Sequence, residues 1–209
     1  MTGLNLTNKE MRRLIVATTV LLTIALFSTN SFSYSSDPKT FISELVNDAI
    51  TTLSDKNISK KDKKEKISTV ALQNIDIDAL GMYTLGQARK SLDQETLKNY
   101  QKLFEKYFLK NLTSRLTDYS SQKFEVLGAE QKSETYTIVS SRIIAGSGPE
   151  IKIDWRVYTK DPAKPLIRDL IVEGLSLAKT QKEEFASILN SNDNDINILF
   201  LKLEEFINN

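Results

Sequence analysis

The chain has no cysteine and no histidine, and only 7 glycines, 4 prolines and 1 tryptophan among its 209 residues. Without cysteine there can be no disulfide, thiolate metal site or cysteine nucleophile. Without histidine the usual general base near neutral pH and the commonest metal ligand are missing. Triad hydrolysis through histidine and most zinc chemistry are therefore excluded. An excess of either charge is also lacking, with 28 Lys and Arg against 27 Asp and Glu. So balanced a chain has no electrostatic claim on nucleic acid, whose phosphates must be neutralised on binding.

Long apolar runs are absent as well. Lys9, Arg12 and Arg13 precede an uncharged stretch from Leu14 to Phe27, about 14 residues where a membrane-spanning helix needs roughly 20. Ser31 and Ser33 follow, flanking Phe32. A basic start, a short apolar middle and small residues at the cut predict a secretory signal peptide over residues 1–33, with a mature domain over 34–209. An uncleaved anchor is the competing reading. No cysteine stands at the cut to carry a lipid anchor. Removing Lys9, Arg12, Arg13 and Glu10 leaves 25 basic and 26 acidic residues, a formal charge of −1.

What the mature chain does contain is two hydrophobic periods. Asp37-Pro38 is a helix-start signal, and Phe41, Leu45, Ala49 and Leu53 recur at helical intervals after it. Lys60 to Lys66 reads as the solvated first turn of a second helix rather than a membrane-docking patch, because Asp62 and Glu65 dilute its charge. Gly81 and Gly86 argue for short helical pieces joined by a bend. A long helix is predicted from Asp93 to about Tyr119, with Tyr100, Phe104, Tyr107 and Phe108 on a wide apolar face. From Lys123 to Leu177 the period shortens to two, with turn signals at Gln131–Glu134, Gly146–Pro149 and Asp161–Pro165. Four strands in an antiparallel meander are expected. In the third, Ile151, Ile153, Trp155 and Val157 share one face, and Lys152, Asp154, Arg156 and Tyr158 the other. In the fourth, Leu166, Leu170 and Val172 are expected on one side, and Ile167, Ile171, Leu175 and Leu177 on the other. Thr180 to Glu183 fits a capping box for a penultimate helix, and Ile196 to Phe206 forms the last. The fold class is α+β, with N-terminal helices, a four-stranded curved antiparallel sheet and C-terminal helices in one domain.

The last strand, Arg168-Asp169-Leu170-Ile171-Val172-Glu173-Gly174-Leu175-Ser176-Leu177, resembles the D-x-x-V-E-G-V-S-L signature of the MlaC toluene-tolerance family. Ile153-Asp154-Trp155-Arg156-Val157 is similar to that family's aromatic strand, and Leu85-Gly86 before the long helix matches its spacing. The resemblance covers roughly Asp37 to Phe206. Leu112 departs from a common tyrosine, Lys182 from an arginine, and Asn192-Asp193-Asn194 from a glycine. The resemblance implies a cone-shaped fold like that of nuclear transport factor two. It also implies a periplasmic phospholipid shuttle between an outer-membrane lipoprotein complex and an inner-membrane ABC transporter, which maintains outer-membrane lipid asymmetry. A monomer with phospholipid as cargo, no cofactor, no metal and no catalysis is expected.

Physical reasoning says what such a carrier needs. At about 0.8 kcal/mol per methylene, a sixteen-carbon chain costs on the order of 12 kcal/mol to expose to water, so the tails require an apolar cavity. The candidate lining is Tyr100, Phe104, Tyr107, Phe108, Val139, Trp155, Val157 and Val172, each of which also suits ordinary core packing. Head-group candidates are Arg89, Arg115, Arg142 and Arg156, since guanidinium forks onto phosphate. Arg156 is expected to face away from Trp155. Gly174 reads as a bulge or bend that curves the sheet. Two other functions compete: a small-molecule enzyme using Asp154 with Tyr136 or Tyr158, and an adaptor whose aromatics are only core.

Overall fold

A computed structural model describes residues 34–116, 123–144 and 149–209. The predicted signal peptide, Tyr119 and most of the turn at Gly146–Pro149 lie outside the described residues. Helix α1 (Pro38–Ser54) begins where the sequence places it: the Asp37 carboxylate accepts from the Thr40 amide at 2.8 Å, and proline takes the first turn. Helix α2 (Lys60–Asn74) is capped by Ser59, and its charged first turn is largely exposed. Helix α3 (Ile77–Thr84) ends near Gly86, whose φ of 60° is easily reached only without a side chain, and a single 3-10 turn (Ala88–Lys90) follows. Helix α4 (Gln94–Leu116) is the long one, and its 23 residues extend about 34 Å at 1.5 Å each.

The sheet holds five strands rather than four. β1 (Lys123–Ser133), β2 (Tyr136–Ile144), β3 (Glu150–Tyr158), β4 (Leu166–Val172) and β5 (Leu175–Ser176) lie side by side in chain order, every pairing antiparallel. The sheet is open, not closed into a barrel. The fifth strand arises at Glu173-Gly174. Positive φ angles of 49° and 83° turn the chain back so that Leu175 pairs with Val172 and Ser176 with Ile171. Gly174 is thus a tight turn between strands, not a bend within one.

Two further expectations change. The predicted faces of β4 assume unbroken alternation, but Arg156 pairs with Asp169 while Val157 pairs with Ile167. Arg168 is the extra residue of a bulge, which brings Ile167 onto the same face as Leu170 and Val172. Helix α5 (Leu177–Asn190) also starts earlier than the capping box predicts. Ser176 is its cap, accepting from the Lys179 amide at 3.0 Å, and Thr180 lies inside the helix with its hydroxyl donated to the Ser176 carbonyl. Helix α6 (Ile196–Asn208) closes the chain. In the turn before it Asp193 and Asn194 have φ of 54° and 59°. Asp and Asn are the non-glycine residues that best tolerate this region.

The buried apolar residues divide into two clusters. One joins α3, α4, α5 and α6 around Tyr100, Phe104, Phe185, Leu189 and Leu199. The other lies between α1 and the sheet, around Phe41, Ile42, Val139, Val157 and Ile167. Among the described residues no helix is long and apolar enough to cross a membrane.

Candidate functional site

β3 divides the chemistry of the molecule, because its side chains alternate. Ile153, Trp155 and Val157 face α1, whereas Asp154 and Arg156 face α3 and the start of α5. On the first side lies a cavity of about 370 Å³, roofed by Leu45, Ala49 and Leu53 of α1 and by Val70 and Ala71 of α2, with Leu112 of α4 at one wall. The sheet supplies Phe124, Ile143, Ile153, Trp155, Ile167 and Leu170. All these residues are aliphatic or aromatic, so the cavity offers a ligand dispersion contacts and almost no polar competition. Its one polar lining group is the indole N–H, which donates to Ser141 Oγ at 2.8 Å, while the serine hydroxyl donates to the Ile153 carbonyl at 3.0 Å. The indole ring also meets Phe124 edge to face at 6.2 Å. The wall is thus dry and electrically quiet.

Of the eight predicted lining residues, only Trp155 borders this cavity. Val139 and Val157 face the same side but are wholly buried in the cluster beneath it. Val172 shares that face, half-buried at the end of β4 and outside the lining. The aromatic stripe of α4 turns elsewhere. Phe104 meets Phe185 edge to face at 6.3 Å, Tyr107 contacts Phe206 at 4.9 Å, and Tyr100 stacks on Phe200 at 6.4 Å. Phe108 packs against the same helical cluster. Their hydroxyls are satisfied locally, Tyr100 by Thr84 at 2.9 Å and Tyr107 by Gln181 at 2.8 Å, and burial raises both, that of Tyr100 well above the ordinary tyrosine range. Sequence reasoning missed Leu45, Ala49, Leu53 and Val70, although the four-residue spacing of the first three was visible. The stripe of α1 meets a cavity and that of α4 meets other helices, and periodicity alone does not separate these cases.

The arginines are dispersed. Arg89 is exposed and donates to the Met82 carbonyl. Arg115 is exposed at the end of α4, its Nε on Asn111. Arg142 lies between two carboxylates, Glu125 at 2.6 Å and Glu150 at 2.9 Å. Hydrogen bonds from Lys123 and then Arg142 hold the Glu125 carboxyl below its ordinary range. Arg156 faces away from Trp155, as alternation requires. The residues of the competing enzyme reading are engaged structurally: Asp154 accepts from Ser140 at 2.6 Å, and the Tyr136 hydroxyl accepts from Arg168 at 3.0 Å.

Residues 43–205 match the family described as MlaC protein. A phospholipid-binding protein from Ralstonia solanacearum, solved in complex with a phospholipid, has a similar fold, with a TM-score of 0.66 at 19% identity over 83% of this chain and 97% of that one. No curated protein matches the chain.

Proposed function

This chain belongs to the MlaC family, and from that premise we propose that it binds phospholipid, with acyl chain held in the cavity over Trp155. The carrying observation is the lining of that cavity, which is apolar on every side and whose single N–H is already bonded to Ser141. The similar fold of a protein solved with phospholipid bound supports the same reading. Such a lining suits acyl tails, which leave water only for a space that demands no hydrogen bond from them. A volume of about 370 Å³ is near the lower end of the range for ligand sites, so a two-chain lipid requires α1 and α2 to move away from the sheet. We assign the head group to the mouth of the cavity. Among the four arginines we assign this role to Arg115, which follows Leu112 of the cavity wall by one turn on α4.

The finer reading is a periplasmic shuttle, exported by the signal peptide over residues 1–33 and acting as a monomer. It carries lipid between an outer-membrane lipoprotein complex and an inner-membrane ABC transporter, and so maintains lipid asymmetry. It catalyses no reaction, and its domain over 34–209 takes the cone form of nuclear transport factor two. Mass spectrometry of an organic extract of the purified protein tests the binding. About one phospholipid per chain is expected from wild type, and a loss of most of it from Ala71→Phe, which fills the cavity with a ring. Full loading of a folded Ala71→Phe protein would place the lipid elsewhere.

A further inference from the structure

Across the sheet from the Trp155 cavity lies a larger recess, of about 760 Å³, between β1–β4, α3 and the start of α5. Leu80, Ile138 and Ile171 give it an apolar floor, but five of its thirteen lining residues are charged: Lys132, Asp154, Arg156, Arg168 and Asp169. Most of these charges are already matched. Arg168 donates to Asp76 and Tyr136 and lies 3.4 Å from the centre of the Tyr158 ring. Buried Asp169 accepts from Ser176 Oγ at 2.6 Å and from the Ala178 amide at 3.0 Å, and Lys132 is 2.6 Å from Glu130.

Arg156 and Asp154 differ. Among the described residues the only carboxylate within 4 Å of Arg156 is Asp169, at 3.8 Å, too far for a hydrogen bond, and its oxygen there already takes the Ser176 hydroxyl. Asp154 receives one bond from neutral Ser140 and has no cation within 4 Å among the described residues. The two stand two positions apart on β3, about 6.7 Å along the strand, and face one side.

We propose that this recess is a second ligand site, for a single-chain zwitterionic amphiphile. Its anionic group sits on Arg156, its ammonium on Asp154, and its short chain on Leu80, Ile138 and Ile171. The charge pattern selects the class. A purely anionic ligand meets Asp154 as a like charge, and a purely cationic one meets Arg156, whereas a zwitterion satisfies both. The apolar floor, formed by three side chains, suits one short chain. A lipid held over Trp155 does not reach this site, because hydrogen-bonded strands separate the two recesses.

Isoleucine methyl groups report the two sites separately, so methyl NMR of the mature protein tests the proposal. The probe is lysophosphatidylethanolamine with an eight-carbon chain. Saturable shifts are expected at Ile138 and Ile171, with Ile143 and Ile153 unmoved. R156Q and D154N should each raise the dissociation constant roughly tenfold or more, the size of a lost charge-assisted contact. The lysophosphatidic acid of equal chain length, lacking the ammonium, should bind more weakly to wild type, and D154N should narrow that gap. Shifts at Ile143 and Ile153 instead would assign the probe to the tail cavity and overturn the proposal. So would binding that R156Q leaves unchanged, or equal binding of uncharged octyl glucoside. Loss of lipid from the Trp155 cavity leaves all of these outcomes unaffected.

Discussion

A single hydroxyl sets the polarity of the tail cavity. Ser141 is almost wholly buried, accepts a hydrogen bond from the Trp155 N–H at 2.8 Å and donates one to the Ile153 carbonyl. Among the described residues no buried polar side-chain atom lacks a partner, and this serine is the reason the indole complies. Ser141→Ala should cost about 1–3 kcal/mol, because it leaves a buried N–H unpaired. In a Trp155→Phe background the same change leaves no indole N–H unpaired and removes only the bond to the Ile153 carbonyl, so it should cost about 1 kcal/mol less, which a double-mutant cycle by urea denaturation measures. Equal costs in both backgrounds would mean that the bond contributes nothing. The Trp155→Phe protein should still carry lipid, since the ring remains as an apolar wall.

At the scale of elements, the packing of α3 on α4 depends on the missing side chain of Gly81. A Cβ there would lie 2.9 Å from Phe104 Cδ1, closer than such atoms sit. Gly81→Ala gains up to about 1 kcal/mol of helix propensity but loses about 1–3 to overpacking, so a net fall in thermal midpoint is expected. Phe104→Leu in the same chain should recover part of it. A rise in midpoint for Gly81→Ala alone would show that Phe104 moves freely. The sequence showed two glycines five positions apart and a bend, but not that they act differently: Gly86 reaches a positive φ that ends the helix, while Gly81 admits a neighbouring ring. Asp37-Pro38 was legible because a cap is a local event. The bulge at Arg168 was not, because it depends on which residues of β3 stand opposite, and the Ser176 cap of α5 was hidden behind a better-looking box four residues on. The Glu-Gly-x-Ser-Leu motif was recognisable as family pattern, and its physical content is a turn followed at once by a helix cap.

For the whole molecule, the class and order of elements followed from the change of period, but the location of the cavity did not. An amphipathic helix announces that one face is covered, not what covers it, so the aromatic α4 looked the better wall while the plainer α1 provides it. That outcome bears on release. The α1 face is apolar against the sheet, and α2 buries few side chains, Ile67, Ala71 and Asn74 among them. Phe41, Ile42 and Leu45 fix the first half of α1, so its second half and α2 are the part of the wall least costly to displace, and the bound lipid should leave between them and the sheet. Because the chain has no cysteine, an engineered pair across the contact of α1 with β1 forms one defined disulfide. The oxidised protein, loaded beforehand, should pass lipid to acceptor vesicles at least roughly tenfold more slowly than the reduced one, with equal stability of the bound state. Unchanged transfer on oxidation would mean that the cavity empties by another route, with α1 fixed in place.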